Sequence, residues 1–193
     1  KPAYAGTFEA LNFTLLAAQP QAVLLEFGNG LKHWLAANAY WQHAGSNGAL
    51  TIDGHPFLPG HRRLIESAAH QVDRLYLFLS AADRSPLAFP ERWQQVHDGV
   101  ADLANVVVLD LVHYRIGAAS FPTYFLKPDD PVAKIRAELD ATLFATRIAP
   151  FFGIARYFTV APSTAEEAVA ARVIQTHGIA VSAIPNPPPG DSQ

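Results

Sequence analysis

Two histidines and two arginines, His55, His61, Arg62 and Arg63, crowd into one short stretch that follows the sequence GALTIDG at residues 48–54. Residues 49–53 are apolar enough for a buried strand, and residues 54–60 hold two glycines and two prolines. Beyond them Leu64, Ile65, Ala68, Ala69 and Val72 recur at helical spacing. Strand, tight loop and helix start together make an anion site. The first N–H groups of a helix have no intrahelical acceptor, and the helix dipole is positive at that end. A histidine at such a mouth can donate to a phosphate oxygen and stabilise charge on a transferring phosphoryl group. The pattern points to a phosphate-bearing ligand, a nucleotide first, with His61 as the residue that carries the chemistry. The competing reading of His61 is a helix cap or a solvent-facing side chain. His55 stands before Pro56 and reads as a second donor or as a turn residue. Gly60 permits close backbone approach to a ligand, or simply turns the chain. As a metal pair His55 and His61 lack a third ligand at sensible spacing, so no metal site is assigned.

Three further cations stand in or beside loops that follow strands. Arg84 and Arg92 flank the loop after the second strand, and Lys127 closes the stretch FPTYFLK at residues 121–127. Each is a candidate phosphate or carboxylate contact, against the commoner case of a solvated side chain. Arg136 and Asp140 read as a surface pair within one helix, worth little. The remaining histidines have no motif around them. The sequence contains no G-x-S-x-G elbow, no G-x-x-x-x-G-K-[ST] loop and no G-x-G-x-x-G after a strand, which counts against hydrolase, P-loop and dinucleotide readings.

The elements that must position these residues alternate. Strands are expected at 49–53, 74–80, 105–112, 156–160 and 179–184. Helices are expected at about 62–71, from Pro90 through Leu103, from about Asp129 to Gly153, and after a capping box at Ser163–Glu166 up to Gly178. This alternation calls for a five-stranded parallel sheet with helices on both faces, whose ligands bind beyond the carboxyl ends of the strands. Residues 1–47 read as an N-terminal extension packed on that core. They hold an extended segment through Phe8, Leu11, Phe13 and Leu15, a strand at 22–27, and a short helix carrying Leu31, Trp34, Leu35 and Trp41. Asn38 falls on that helix's apolar face. The α/β domain is expected over 48–185, and 186–193 as a flexible tail.

The 193 residues suffice for one such domain, and half of them are apolar. A net charge of −3 gives no nucleic-acid surface, and no apolar run approaches a membrane span, so neither nucleic acid nor membrane is expected as a partner. The first six residues, KPAYAG, lack a hydrophobic h-region; no signal peptide is expected, and a cytoplasmic protein is expected. Cysteine is absent, which removes disulfides and thiolate chemistry. Methionine is absent too, so the chain is expected to be a fragment, a processed chain or an engineered one.

The loop resembles the T/H-x-G-H signature of nucleotidyltransferase-type α/β proteins. A closer resemblance is to the C-terminal domain of citrate lyase ligase, which reads N-G-A-x-x-x-N-x-N-P-F-T-x-G-H-R where this chain has NGALTIDGHPFLPGHR at 47–62. The stretches at 25–31, 101–108, 119–127 and 137–150 are similar to the family as well, so the likeness covers about residues 22–185. It implies a Rossmann-like nucleotidyltransferase fold and an ATP-dependent ligase. That ligase would activate acetate as acetyl-adenylate and acetylate the prosthetic-group thiol on the acyl carrier subunit of citrate lyase, releasing AMP and pyrophosphate. ATP, Mg²⁺, acetate and that acyl carrier subunit are the ligands and partners implied. On this reading Asp53, Gly54, His55, Phe57, Leu58, Gly60, His61 and Arg62 form the ATP site, with His61 catalytic. Arg84, Arg92 and Lys127 face the phosphates or the prosthetic group. The chain departs from the pattern at Leu58, where the family has threonine, at Pro59, which has no backbone N–H, and at His55, where the family has asparagine. After the last expected strand, where the family's late I-S-A-S-x-V-R segment would be expected, the sequence reads NPPPG at 186–190, and the family's N-terminal acetyltransferase-like domain is not expected within residues 1–47. Two other readings stay open: an adenylyltransferase of the phosphopantetheine type, and a degenerate, non-catalytic nucleotide-binding domain.

Overall fold

The structure, a computed structural model, describes residues 5–53, 56–80, 87–111, 114, 132–160 and 164–185. A short helix α1 (Ala5–Glu9) leads into an antiparallel hairpin of β1 (Phe13–Ala18) and β2 (Val23–Phe27). Helix α2 (Gly30–Ala37) follows, then a 3₁₀ turn at Ala39–Trp41. The main sheet is formed by β3 (Asn47–Ile52), β4 (Arg74–Leu79), β5 (Val106–Asp110), β6 (Ile154–Val160) and β7 (Ala180–Ile184). All four pairings in it are parallel. Its helices are α3 (Pro59–Ala69), α4 (Phe89–Val100), α5 (Val132–Leu143), α6 (Ala149–Phe152) and α7 (Ala165–Thr176).

The strand order is β5-β4-β3-β6-β7. The chain therefore builds outward from β3 in one direction, crosses over, and builds outward in the other. The order reverses between β3 and β6, which is where an open α/β sheet leaves a crevice for ligand. Residue alternation divides the core accordingly. On β4, Tyr76 and Phe78 face one layer with Leu139, Leu143, Ile148 and Phe152, while Leu75, Leu77 and Leu79 face the other with Leu64, Ile65, Val96 and Val100. So α3 and α4 cover one face, α5 to α7 the other, as expected from the β-α alternation.

Several local expectations change register. Residues 8–15 do not form one extended segment: Phe8 lies in α1 and β1 begins only at Phe13. Asn38 does not ride on a helix face. It terminates α2, with its side-chain amide donating to the Trp34 carbonyl at 2.9 Å. Helix α3 starts at Pro59 rather than near Arg62, because proline at the first helical position gives up an N–H that the helix cannot use. The capping box of α7 is formed by Thr164 and Glu167, one residue later than the Ser163/Glu166 reading. Arg136 also reaches across to Glu166 of α7, at 2.9 Å. The long helix is not α throughout: Phe144–Ile148 winds as a π-helix between α5 and α6, and Gly153 ends the run at a positive φ of 63°.

Leu16, Ala17 and Leu31 of the N-terminal segment belong to the same buried cluster as Tyr76 and Phe152. Trp34 reaches further and donates through Nε1 to the Asp110 carboxylate at 2.9 Å, at the carboxyl end of β5.

Candidate active site

The loop at the carboxyl end of β3 is built from both sides. Asp53, one residue past the strand, accepts a hydrogen bond from the Ser80 hydroxyl at the equivalent end of β4. The Arg92 guanidinium lies beneath this junction. Its Nη1 donates to the carbonyls of Asp53 at 2.6 Å and of Ser80 at 2.9 Å. Arg92 is only 2% exposed, stacks against Phe89 and has no partner for Nε among the described residues.

At the far end of the loop the chain enters α3 with Leu58 at the N-cap, then Pro59, Gly60 and His61 as the first three helical residues. Three positions into the helix, a side-chain acceptor can reach back to the cap's own N–H, which is half of a capping box. His61 does this: Leu58 N–H donates to Nδ1 at 3.0 Å. The reciprocal half needs an oxygen on the cap side chain, and leucine has none. The threonine of the family pattern would supply it. Nδ1 is therefore an acceptor, which leaves the ring proton on Nε2. Of the first helical N–H groups, Pro59 has none and that of His61 donates to the Leu58 carbonyl at 2.9 Å. Gly60 N–H has no acceptor among the described residues.

Burial holds the His61 imidazole below its usual 6.5, against the opposing pull of the Pro56 carbonyl and the Asp53 carboxylate. The ring is neutral at pH 7. The sign of the linkage follows. As pH falls through 6.5, the unfolded chain takes up a proton that the folded chain does not. Stability therefore declines from pH 6.5 downward and levels only once the folded ring protonates. Glutamine at position 61 keeps an acceptor for Leu58 N–H and cannot titrate. His61→Gln should thus remove part of the loss in urea midpoint between pH 7.5 and pH 5. An identical loss in both proteins would contradict the assignment.

Arg62 points away from the loop mouth. It makes a fork–fork pair with Asp102 at 2.5 and 2.6 Å, bonds Glu66 at 2.8 Å through Nε, and also donates to the Gly99 carbonyl. That pair holds the Asp102 carboxyl below the usual carboxylate range. Phe57 lies against Gly99 and 6.0 Å from the His61 ring, centroid to centroid. Leu58 is half exposed.

The structure thus brings Asp53, Phe57, Leu58, Gly60, His61, Arg62 and Arg92 to one end of β3. Gly54, His55, Arg84, Lys127 and the tail lie outside the described residues. Ser80, Gly99 and Asp102 did not come from the sequence reading. The signal for Gly99 was a lone glycine inside a helical pattern, which often marks close packing.

A sequence model of the citrate lyase ligase C-terminal domain matches residues 47–183. The chain belongs to this family. Two of its relatives are the citrate (pro-3S)-lyase ligases of Haemophilus influenzae and Escherichia coli, 34% and 31% identical, each over 82% of this chain. The chain spans about half the length of these relatives, 48% and 46%. Among solved structures, pantothenate synthetase from Thermus thermophilus aligns over 78% of this chain and 59% of its own, at a TM-score of 0.52 and 14% identity. That likeness shows the fold alone, a parallel α/β sheet with helices on both faces. Among the described residues, no helix is long and apolar enough to cross a membrane.

The family's threonine gives a direct test of the loop. Leu58→Thr should complete the capping box and stabilise the protein by about 1 kcal/mol, a rise of roughly 2–4 °C in Tm for a chain of this size. A lowered Tm would mean that position 58 is not the cap.

Proposed function

We propose that this domain performs ATP-dependent acetylation of the prosthetic-group thiol on the acyl carrier subunit of citrate lyase, releasing AMP and pyrophosphate. The observation that carries the reading is positional. The family's loop, residues 47–62, leaves β3 beside the point where the strand order reverses, with His61 held by its own helix cap.

In the first half-reaction an acetate oxygen attacks the α-phosphorus of ATP. The bond to pyrophosphate breaks, and acetyl-adenylate forms. In the second, the thiolate sulfur attacks the acetyl carbonyl and AMP leaves with the electron pair. His61 donates from Nε2 to a phosphate oxygen as charge gathers on the departing pyrophosphate, and a neutral ring suits that role. Gly60 N–H and the positive end of α3 face the same oxygens. Asp53, Gly54, His55, Phe57 and Leu58 complete the ATP loop, and Arg62 holds it in place through Asp102. Arg84 and Lys127 serve the phosphates or the prosthetic group, while Arg92 acts from beneath the loop. Among the described residues, no group of three His, Asp or Glu side chains stands ready for a metal. Mg²⁺ would arrive on the phosphates, where it neutralises their charge. We place the activity in the cytoplasm.

Leu58 and Pro59 favour a second reading, a domain that folds but has lost turnover. Calorimetric titration with Mg-ATP separates them, followed by an assay of pyrophosphate release with acetate or with phosphopantetheine. Acetate-dependent release supports the ligase, and release that requires phosphopantetheine supports an adenylyltransferase. Binding without release supports the degenerate domain, and absence of binding defeats all nucleotide readings.

A further inference from the structure

Helix α4 touches the 53–62 loop at three places. Arg92 carries the Asp53 carbonyl, Gly99 receives the Phe57 ring, and Asp102, just beyond the helix, takes the Arg62 guanidinium. Arg92 and Gly99 are seven residues apart, two helical turns, and so lie on one face. Among its described residues the loop is thus held at its start, middle and end by α4 and the turn after it, and its last residues belong to α3.

Gly99 sets the spacing. A Cβ built there would come within 2.8 Å of Phe57 Cδ1 and 2.9 Å of Cζ, and closer still to Cε1. These approaches are shorter than Cβ contacts make in real proteins, so the ring would have to leave. Helix propensity argues the other way, since glycine inside a helix is less favourable than alanine. The chain has its glycine where the helix alone would favour alanine, and the reason lies across the interface. Phe57 in turn neighbours the His61 ring.

We infer that Gly99 is a positioning residue for His61, acting through Phe57: it lets the loop seat on α4 at the depth at which the imidazole is shielded and aimed. The second half of the test rests on the ATP site proposed above; the first half does not.

The test is a double-mutant cycle on the full chain, Gly99→Ala and Phe57→Ala singly and together. His61 is followed by NMR titration of its ring protons, and Mg-ATP affinity by calorimetry. Gly99→Ala should move the His61 titration up towards that of an exposed histidine and weaken Mg-ATP binding by roughly tenfold, as a misplaced site would. Tm should hold steady or rise, because the helix gains what the loop loses. In the Phe57→Ala background the added methyl should change neither readout. A purely structural glycine would instead lower Tm and leave the titration alone. The inference is overturned if Gly99→Ala leaves the titration unchanged, or shifts it equally with and without Phe57. Should the wild-type chain bind no Mg-ATP, the proposed function fails, and the titration cycle still decides the seating.

Discussion

Alanine at position 61 should lower acetate-dependent pyrophosphate release by about two to three orders of magnitude, the usual cost of one donor aimed at developing charge. Two things leave with the imidazole, and they are separable. The first is the Nε2–H donor. The second is the Nδ1 acceptor that holds Leu58 N–H at 3.0 Å. Losing that half-cap costs about 1 kcal/mol, seen as a drop of a few degrees in Tm. His61→Gln keeps an acceptor at the third helical position and should restore the thermal midpoint while leaving turnover far below wild type. That split distinguishes a catalytic donor from a cap that merely shapes the loop. Turnover in His61→Ala within about threefold of wild type would remove the histidine from the mechanism altogether, since a lost donor costs far more.

Replacing Arg92 with methionine should be the most destabilising of the changes considered. A residue 2% exposed holds two carbonyls at 2.6 and 2.9 Å, from the ends of two different strands. Hydrogen bonds to charged groups contribute about 1.5–3 kcal/mol each, and the buried Ser80 carbonyl would lose its guanidinium donor. A net loss of about 3 kcal/mol is expected, allowing for the desolvation that the guanidinium no longer suffers. In a chain of this length that is a fall of roughly 6–12 °C in Tm. Lysine should recover little of it, because one ammonium cannot reproduce the planar fork. An arginine that served the phosphates directly would behave differently: its loss would raise KM for ATP and spare Tm. A thermal midpoint unchanged in Arg92→Met would therefore return Arg92 to the substrate side.

Arg92 shows where the sequence stops being informative. An arginine soon after a strand and inside a helix looks the same whether it faces ligand or lies buried under a loop. The difference depends on Asp53 and Ser80, 39 and 12 residues away. The strands and helices were legible because their signals are local: apolar runs for β3 and β4, the 93/96/100 spacing for α4, Pro90 and Gly153 at helix ends. The His61 loop was legible for the same reason. What was not legible depends on contact between distant segments. Gly99 matters because of Phe57, Asp102 because of Arg62, and Arg136 meets Glu166, thirty residues on. The α7 cap slipped by one residue because Ser163-Thr164-Ala165-Glu166-Glu167 holds two overlapping boxes, and composition cannot choose between them. The π-helical turn at 144–148 had no visible signature, since its residues carry the same apolar stripe as the α-helix before it.

The Trp34–Asp110 bond and the burial of Leu16, Ala17 and Leu31 bear on where this protein can be cut. Similarity to the family model starts at residue 47, yet part of the hydrophobic core is contributed by residues upstream of it. Homology and foldability thus have different edges. A clone trimmed to the aligned segment would remove the cover from Tyr76 and Phe152 and leave the Asp110 carboxylate without its indole donor. Expression boundaries for this domain are better drawn ahead of the β1–β2 hairpin than at the start of the alignment.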